Sequence, residues 1–274
     1  MYDEFFKDPI KVSLDSKTFQ TLTDDALFFN LGSVHQFSKT VILKSYIYFL
    51  NDLVKKRNKL NKVLSDIVID KRTTSMAVQE TLKIYLDFED TKEKKNRMTS
   101  ITLRINRNEK KDFIDMYGYY QKAIPDNITG FTTVIRILLY QYAKHSRIER
   151  ELILFGSQHK KIEQAIKEKY QISIVTQENQ VIAMNPYKLI FFGDECRFLV
   201  GERVNSSDTL SIRLSRIIDL SHHDYNHFES ITDQTVKMVE NYESNSFQYD
   251  LLGKHLDEEN ILPTLIMLQK RKIF

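Results

Sequence analysis

Apolar and polar residues in the first half of the chain follow a pattern that predicts the same short unit twice. Residues 10–14 alternate between apolar and polar side chains, which is typical of a strand with one buried face. Apolar residues then recur three or four positions apart, as on one face of a helix, to about residue 56. The same order begins again at residues 100–106. Each unit is too small to bury a core alone, so we expect the two to pack together.

The two copies align at a constant offset of 94 residues. The sequence FSKTVILKSYIY, which begins at Phe37, lies opposite FTTVIRILLYQY, which begins at Phe131. A repeat predicts that strands near 10–15 and 100–106 pair antiparallel within one chain. The alternative is two unrelated amphipathic helical pairs that match by chance. Three further apolar pairs match at the same offset: Phe19 with Phe113, Leu22 with Met116, and Ala26 with Tyr120.

The pattern changes at residue 162, where a short helix is followed by four runs rich in β-branched and aromatic residues. Their close spacing, with turn residues between them, predicts a small barrel or sandwich. The predicted fold class is therefore α+β, with a helical N-terminal half, a small Sm-like barrel and a helical C-terminal extension. The predicted parts are a first unit at 1–56, a helical connector at 57–98, a second unit at 99–155, the barrel at 156–224 and the extension at 225–274.

Composition predicts a cytoplasmic protein that does not enter a membrane. Of the 274 residues, 42% are hydrophobic and 28% are charged, which is ordinary for a globular protein. Cys196 is the one cysteine, so no internal disulfide can form and a reducing compartment is expected. The acidic N-terminus does not resemble a signal peptide, and no run of about 18 apolar residues is present to span a membrane.

Charge is distributed unevenly although the net charge is only +3. Residues 1–160 hold 27 Lys and Arg against 20 Asp and Glu, a balance of +7. Residues 161–274 hold 13 against 17, a balance of −4. This division is consistent with a first half that faces nucleic acid and a second half with another role. Uneven charge on an ordinary solvated surface is the alternative.

Polar residues on the outward faces of the predicted strands are candidates for contact with nucleic acid. A two-stranded antiparallel ribbon fits the major groove of DNA, where alternate side chains reach the base edges. Arg104 suits guanine, and the helix start near residues 129–131 would bind a phosphate through backbone N–H groups. An ordinary exposed strand face is the alternative. The candidates are Ser100, Thr102, Arg104 and Asn106 on the second strand and Lys11 and Ser13 on the first.

A strand followed by two helices, with polar residues outward, resembles the ribbon-helix-helix family of DNA-binding dimers. The resemblance covers about residues 99–146 well and residues 10–52 less closely. In the first copy Asp15 follows Lys11 and Ser13 on the outward face, where a carboxylate would repel phosphate. The resemblance implies binding of double-stranded DNA through a paired ribbon, and a homodimer.

The strings NPYKLIFFGDECRFLVGE and SIRLSRIIDL resemble the WYL domain, a small Sm-like barrel of bacterial regulators. Pro186 and Tyr187 match the proline step of that family, and Arg197-Phe198-Leu199 stands where Trp-Tyr-Leu is usual. The resemblance implies a pocket for an anionic, nucleotide-like ligand. Its matched residues are Tyr187, Phe198, Arg213 and Arg216, with Ile217 completing the arginine strand. Alternation predicts that Arg213 lines an exposed ligand face, with Tyr187 and Phe198 nearby, and that Arg216 pairs with a carboxylate such as Asp219.

Motifs for catalysis, cofactors and metals are missing from the sequence. It has no Walker loop and no GxGxxG, and no Ser/His/Asp set has a strand–turn–helix context. No Cys and His spacing is typical of zinc, and His222, His223, Asp224 and His227 suggest a polar loop. We therefore expect a protein that is not an enzyme and that carries no cofactor and no metal.

Three functions fit these features. The first is a transcriptional regulator in which the N-terminal half binds nucleic acid and the WYL-like barrel senses a ligand. The alternative is an accessory protein of a type VI CRISPR defence system, because proteins that pair these two domains resemble accessories that bind single-stranded RNA and stimulate an RNA-guided ribonuclease. A structural dimer in which both sites have decayed is the third.

Overall fold

The computed structural model describes residues 9–67, 70, 72–78, 81, 98–123, 131–192, 196–206 and 208–252. These residues form two compact units, the first ending at Ser146 and the second beginning at Arg147. Half of the predicted connector, the turn at 193–195 and the end of the predicted C-terminal extension lie outside the described residues. Within the described part of the chain, no helix is both long enough and apolar enough to cross a membrane.

The described residues of the first unit include two strands and four long helices. Its two strands form one antiparallel ribbon, and the helices pack against the inner face of that ribbon. The elements are β1 (Ile10–Asp15), α1 (Ser16–Phe28), α2 (Val34–Ile67), β2 (Met98–Leu103), α3 (Lys110–Ala123) and α4 (Phe131–Lys144).

Strands β1 and β2 pair within one chain, in a register that runs from Ile10 opposite Leu103 to Asp15 opposite Met98. The prediction that the two copies pair within the chain is therefore confirmed. Successive side chains of a strand point to opposite faces. The inner face is the apolar one, and its buried side chains are Val12, Leu14, Ile101 and Leu103.

The offset of 94 holds for the start of the first helix in each copy and not for the strands. Lys110 begins α3 94 positions after Ser16 begins α1, but Met98 begins β2 only 88 positions after Ile10 begins β1. Residues 104–109 form a loop in the second copy, whereas α1 follows β1 directly in the first. The predicted strand at 100–106 is therefore corrected to Met98–Leu103, because that loop adds six residues before the helix.

A side-chain oxygen caps the start of the first helix in both copies. Asp15 caps α1, because its Oδ1 accepts the Thr18 N–H at 2.8 Å. In the second copy Asn106 caps the turn that leads into α3, because its Oδ1 accepts the Glu109 N–H at 2.9 Å. Side-chain oxygens satisfy the amides at a helix start that have no partner within the helix.

Buried polar contacts join the two copies in the interior of the first unit. The Tyr142 hydroxyl of α4 donates a 2.8 Å hydrogen bond to Oδ2 of Asp25 in α1. The Tyr142 ring also meets Phe37 edge to face, with 6.1 Å between ring centroids. Asp25, Phe37 and Tyr142 are all fully buried, so these contacts fix how the copies pack.

Helix α2 is longer than the predicted first unit. It contains 34 residues, which at 1.5 Å per residue makes it about 51 Å long. It passes the predicted boundary at residue 56 and ends at Ile67. No breaker interrupts the sequence there, since neither Gly nor Pro occurs between residues 33 and 67.

The second unit contains a five-stranded antiparallel sheet. Along the chain, one helix precedes the strands and another follows them. Helix α5 begins at Arg147, well before the predicted start at residue 162, and residue 155 at the predicted domain boundary lies inside it. The elements are α5 (Arg147–Glu168), β3 (Tyr170–Thr176), β4 (Val181–Phe192), β5 (Cys196–Arg203), β6 (Thr209–Arg213), a 3-10 turn (Leu214–Arg216), β7 (Ile217–His227) and α6 (Asp233–Leu252).

The sheet is open, in contrast to the closed barrel that was predicted. Its strand order is β6-β5-β4-β3-β7, and no ladder joins β6 to β7 among the described residues. The 3-10 turn Leu214–Arg216 redirects the chain after β6, so that β7 pairs with β3 at the opposite edge. The histidines predicted in a polar loop lie in β7. The fold class is α+β, as predicted.

Helix α6 packs on the sheet through an apolar cluster of Ile190, Val200 and Val239. Its first turn is bound to a buried carboxylate, because Oε1 of Glu202 accepts hydrogen bonds from Thr232 N and Thr235 Oγ1, each at 2.8 Å. The Thr232 hydroxyl donates to the same oxygen at 2.5 Å. A carboxylate is favourable at this end of a helix because the N–H groups there carry partial positive charge.

Gly201 is required where β4 and β5 approach closely. A Cβ at this position would lie 2.2 Å from the Asn185 carbonyl oxygen and 2.6 Å from Met184 Cε. In contrast, a Cβ at Gly156, in α5 of the same unit, would meet no atom within 4 Å.

We predict that Gly201→Ala destabilises the second unit by roughly 1–3 kcal/mol, the usual cost of an overpacked site. The matched control Gly156→Ala should be neutral or stabilising by up to about 1 kcal/mol, because alanine favours a helix over glycine. Thermal unfolding followed by circular dichroism measures both, and equal melting temperatures for the two variants would contradict the expectation.

Candidate nucleic-acid interface and ligand site

The outer face of the ribbon brings together four of the six predicted nucleic-acid contacts. Lys11 lies directly opposite Thr102, and Ser13 lies directly opposite Ser100. The Ser13 and Ser100 hydroxyls are 3.3 Å apart and hydrogen-bond across the strands. Lys11 and Ser100 are exposed, and the other two are half-buried. The face therefore presents a cation and three hydroxyls, groups that donate hydrogen bonds to phosphate or to base edges.

Arg104 and Asn106 lie in the loop after β2 and not on the strand. Arg104 is exposed, and its carbonyl oxygen accepts a 3.2 Å hydrogen bond from Lys39 Nζ. Asn106 uses its side-chain oxygen for the cap of α3, accepting the Asn108 N–H at 3.0 Å as well as that of Glu109. The structure therefore gives Asn106 a structural role beside the base-contacting role predicted for it.

The first strand presents no carboxylate to a ligand. Asp15 was expected on the outward face, but only 6% of its surface is exposed, because it caps α1. The structure therefore gives Asp15 a capping role beside the repulsion of phosphate that was predicted for it. The predicted phosphate contact at residues 129–131 falls mainly on residues that the structure does not describe, with α4 beginning at Phe131.

A lysine that the sequence analysis missed fixes the loop at the end of the ribbon. Lys39 of α2 forms an ion pair with Glu109, with Nζ 2.5 Å from Oε1. Partial burial raises the pKa of Glu109, but the Lys39 hydrogen bond, the Asn106 N–H and the Lys39 charge outweigh it and hold the pKa below its usual value. No spacing rule connects residues 39 and 109, so only the fold shows this contact.

Three of the four predicted ligand residues share one face of the sheet. Phe198 and Arg213 lie directly opposite each other on β5 and β6. Phe198 and Tyr187 both pack against the apolar cluster that contains Val239 of α6. This face was predicted to be exposed; Tyr187, Phe198 and Arg213 are instead half-buried. The apolar character of these rings accounts for the packing of α6 on them.

Arg216 lies apart from that group and is exposed. It belongs to the 3-10 turn, so strict strand alternation does not apply to it. Its partner is Glu178 in the turn between β3 and β4, with Nη1 2.7 Å from Oε1. The carboxylate partner suggested from the sequence was Asp219, whose Oδ1 instead accepts the Leu220 N–H at 2.8 Å.

Arg197 is held beneath the sheet by a carboxylate from α5. Its backbone N–H donates to Glu151 Oε2 at 2.9 Å, and its Nη1 lies 3.3 Å from the same oxygen. Nη1 also donates to the Ile148 carbonyl at 2.8 Å, and the guanidinium carbon lies 4.8 Å from the centroid of the Phe191 ring. The predicted domain boundary had separated these residues, so no sequence signal indicated the pair.

The Glu151 side chain is fully buried. This burial raises the pKa of Glu151 to about 7, although the Arg197 N–H and charge, and the charge of Arg213, act in the opposite direction. No group of three or more His, Cys, Asp and Glu side chains suited to a metal ion occurs within the described ranges.

The fold has a counterpart among solved structures. The chain is similar to a protein described as a CRISPR Cas-related protein, with a TM-score of 0.57 and 18% identity over 85% of this chain and 70% of that one. Proteasome accessory factor B/C of Arthrobacter aurescens aligns with a TM-score of 0.26 and 14% identity, over 48% of this chain and 22% of that one. The first likeness shows a shared fold; the second is too weak to support an argument. No protein-family model and no curated protein matches the chain.

We predict that the second unit loses stability as the pH rises from about 5 to about 7. Between the ordinary glutamate pKa of 4.5 and the raised pKa of about 7, the folded state retains a proton on Glu151 that the unfolded state has released. The free energy of unfolding therefore falls as the pH rises through this window. Glu151→Gln should flatten the slope of melting temperature against pH, whereas Glu168→Gln, an exposed site on the same helix, should keep the parent's slope. An unchanged slope in Glu151→Gln would contradict this assignment.

Proposed function

We propose that this protein is a nucleic-acid-binding transcriptional regulator whose reading element is the β1–β2 ribbon. The observation that carries the proposal is the outer face of that ribbon, where Lys11, Ser13, Ser100 and Thr102 lie in two cross-strand pairs. A two-stranded ribbon has the width of the major groove, and hydroxyl and cationic side chains suit base edges and phosphates. The burial of Asp15 supports the proposal, since both strands then offer groups compatible with DNA.

Exposed cations next to the ribbon add electrostatic support. Arg104 and Arg107 follow β2, and Lys17 lies in the first turn of α1; all three are exposed. Such residues supply the salt-dependent part of nucleic-acid binding. Because one chain provides both strands, a second copy is not needed to complete the ribbon, and the homodimer expected from the family resemblance must form through another surface.

For the second unit we propose a ligand-sensing role of the kind the WYL resemblance implies. The support is the grouping of Tyr187, Phe198 and Arg213 on one face, since a cation beside aromatic rings suits an anionic nucleotide-like ligand. Occupation of this face would shift the population of states competent for nucleic-acid binding. The role needs no catalytic group in either unit.

A second candidate function is that of an accessory to a type VI CRISPR ribonuclease that binds single-stranded RNA. The observation that favours it is the similarity in fold to a CRISPR Cas-related protein over most of both chains. The nucleic acid that binds separates the candidates. Duplex DNA from the gene's own promoter region supports the regulator, single-stranded RNA supports the accessory, and no salt-dependent binding of either contradicts both.

The ribbon can be tested by substitution of its cations. We predict that Arg104→Ala weakens binding of the preferred duplex by roughly 1–3 kcal/mol, the usual worth of a bidentate base contact. Lys11→Ala should weaken binding of all DNA sequences alike, and it should reduce the slope of log affinity against log salt concentration by about one, as expected for the loss of one phosphate contact. The control is Lys59→Ala, an exposed lysine of α2 about 30 Å along the helix from Lys39. Fluorescence anisotropy titrations at several salt concentrations measure each effect; parent-like binding by Arg104→Ala would refute the proposed reading role.

The ligand face can be tested by comparing its arginines. We predict that Arg213→Ala loses binding of a nucleoside monophosphate, measured by calorimetry, and keeps the fold. Arg216→Ala should keep most of the binding and change stability by no more than about 1 kcal/mol, because its ion pair with Glu178 is exposed. Unfolding of the second unit by Arg213→Ala, or undiminished binding in that variant, would contradict the ligand role.

A further inference from the structure

An aromatic surface on the first unit is not used by the ribbon. Tyr48 of α2 is 58% exposed, which is unusual for a ring this large, and its neighbour Ile47 is 48% exposed. The Tyr48 ring meets His145 edge to face at the end of α4, with 6.2 Å between centroids. We call the surface formed by Ile47, Tyr48 and His145, together with Lys44 and Lys144, the Tyr48 patch.

The exposed ring is held in place from beneath. Phe49 is buried and meets Tyr48 edge to face at 5.1 Å between centroids. Phe49 also stacks on His145, with 5.7 Å between centroids and 25° between the planes. A ring fixed by its neighbours loses little conformational entropy when a ligand stacks on it, so the Tyr48 patch is pre-organised for flat ligands.

Cations flank the rings. Lys44 is exposed and lies one helical turn before Tyr48, a spacing that places two side chains on the same face. Lys144 is exposed next to His145, with its Nζ 4.3 Å from the centroid of the Tyr140 ring. The nearest acid on this face of α2 is Asp52, which forms an ion pair with Lys56 at 2.7 Å. The charge balance of the Tyr48 patch is therefore positive.

We propose that the Tyr48 patch is a stacking site for the bases of single-stranded nucleic acid. Rings alternating with cations are the arrangement that binds single strands without reading their sequence, because every base has a flat face and every nucleotide a phosphate. A second copy of the chain is the other possible occupant. A two-fold contact through the patch would bring its lysines near those of the partner, and like charges oppose such a contact.

The proposal rests on the second candidate function, the accessory that binds single-stranded RNA, and it names the surface that would bind that RNA. Tyr48 follows Lys39, which binds the loop at the end of the ribbon, by nine residues of helix, or about 14 Å. That distance separates the patch from the ribbon, so duplex binding through the ribbon and single-strand binding through the patch can be lost independently.

The test is anisotropy with a labelled RNA of about 12 uridines, within the site sizes of single-strand-binding folds, and with DNA of the matching sequence. We expect Tyr48→Ala to weaken binding roughly 5- to 150-fold, as for one stacked base, and Tyr48→Phe to bind like the parent. Lys44→Ala should weaken binding and reduce its salt dependence. The control is Leu27→Ala, which truncates another highly exposed apolar side chain.

Parent-like binding of both oligonucleotides by Tyr48→Ala would overturn the proposal, as would a parent that binds neither. Duplex binding, measured for the patch variants and for Arg104→Ala and Lys11→Ala, separates the ribbon proposal from the patch proposal. If only Arg104→Ala and Lys11→Ala lose duplex binding, the ribbon proposal is supported whatever the effect of Tyr48→Ala on single strands. If sedimentation shows that Tyr48→Ala dissociates a dimer while RNA binding stays unchanged, the patch is an interface between copies and the proposal fails. Binding of RNA but not DNA would assign the patch to RNA.

Discussion

The pairing of β1 with β2 within one chain is the constraint on which the first unit depends. A strand followed by two helices leaves one apolar face uncovered, and the second copy covers it through the ribbon, the Asp25–Tyr142 hydrogen bond and the Lys39–Glu109 ion pair. Because both copies belong to one chain, the two halves of the ribbon need not have the same sequence. The outer face is accordingly asymmetric: Lys11 of β1 lies opposite Thr102 of β2, whereas two identical strands would present the same residues on both sides. In the proposed reading role, such a ribbon suits an asymmetric target better than a palindrome.

The buried carboxylate of Glu151 has the corresponding role in the second unit. Glu151 joins α5 to the first residues of β5 through the Arg197 amide and guanidinium. Removing one partner of a buried pair leaves an uncompensated charge, which costs far more than the pair itself contributes. Arg197 stands where the WYL resemblance places tryptophan, and its guanidinium lies over the Phe191 ring.

Periodicity predicted most helices and strands of the two units, although not all of their bounds, because buried faces repeat every 3.6 or 2 residues. The repeat predicted the pairing of β1 with β2. Periodicity failed where single residues decide the geometry. Strand β2 ends at Leu103, earlier than predicted, because residues 104–109 form a loop. The Asn106 side chain stabilises that loop by accepting the Glu109 N–H. The 3-10 turn at Leu214–Arg216 broke the alternation that had related Arg213 to Arg216. The ion pairs of Lys39 and of Glu151 join residues 70 and 46 positions apart, which no local pattern predicts.

The position of α6 determines how a ligand can reach the face with Tyr187 and Phe198. The first turn of α6 is bound by three hydrogen bonds to the buried Glu202 carboxylate, and bonds to a charged group contribute about 1.5–3 kcal/mol each. Farther along, Lys188 pairs with Glu243 in a position where both side chains are almost half exposed, and such a pair contributes about 0–1 kcal/mol. The later turns are held in addition by the packing of Val239 on the sheet and by the Tyr242 hydroxyl, which donates a 2.7 Å hydrogen bond to the Phe191 carbonyl. In the proposed ligand role, a ligand that enters beside Arg213 would have to displace these later contacts, while the bonds to Glu202 would keep the first turn attached.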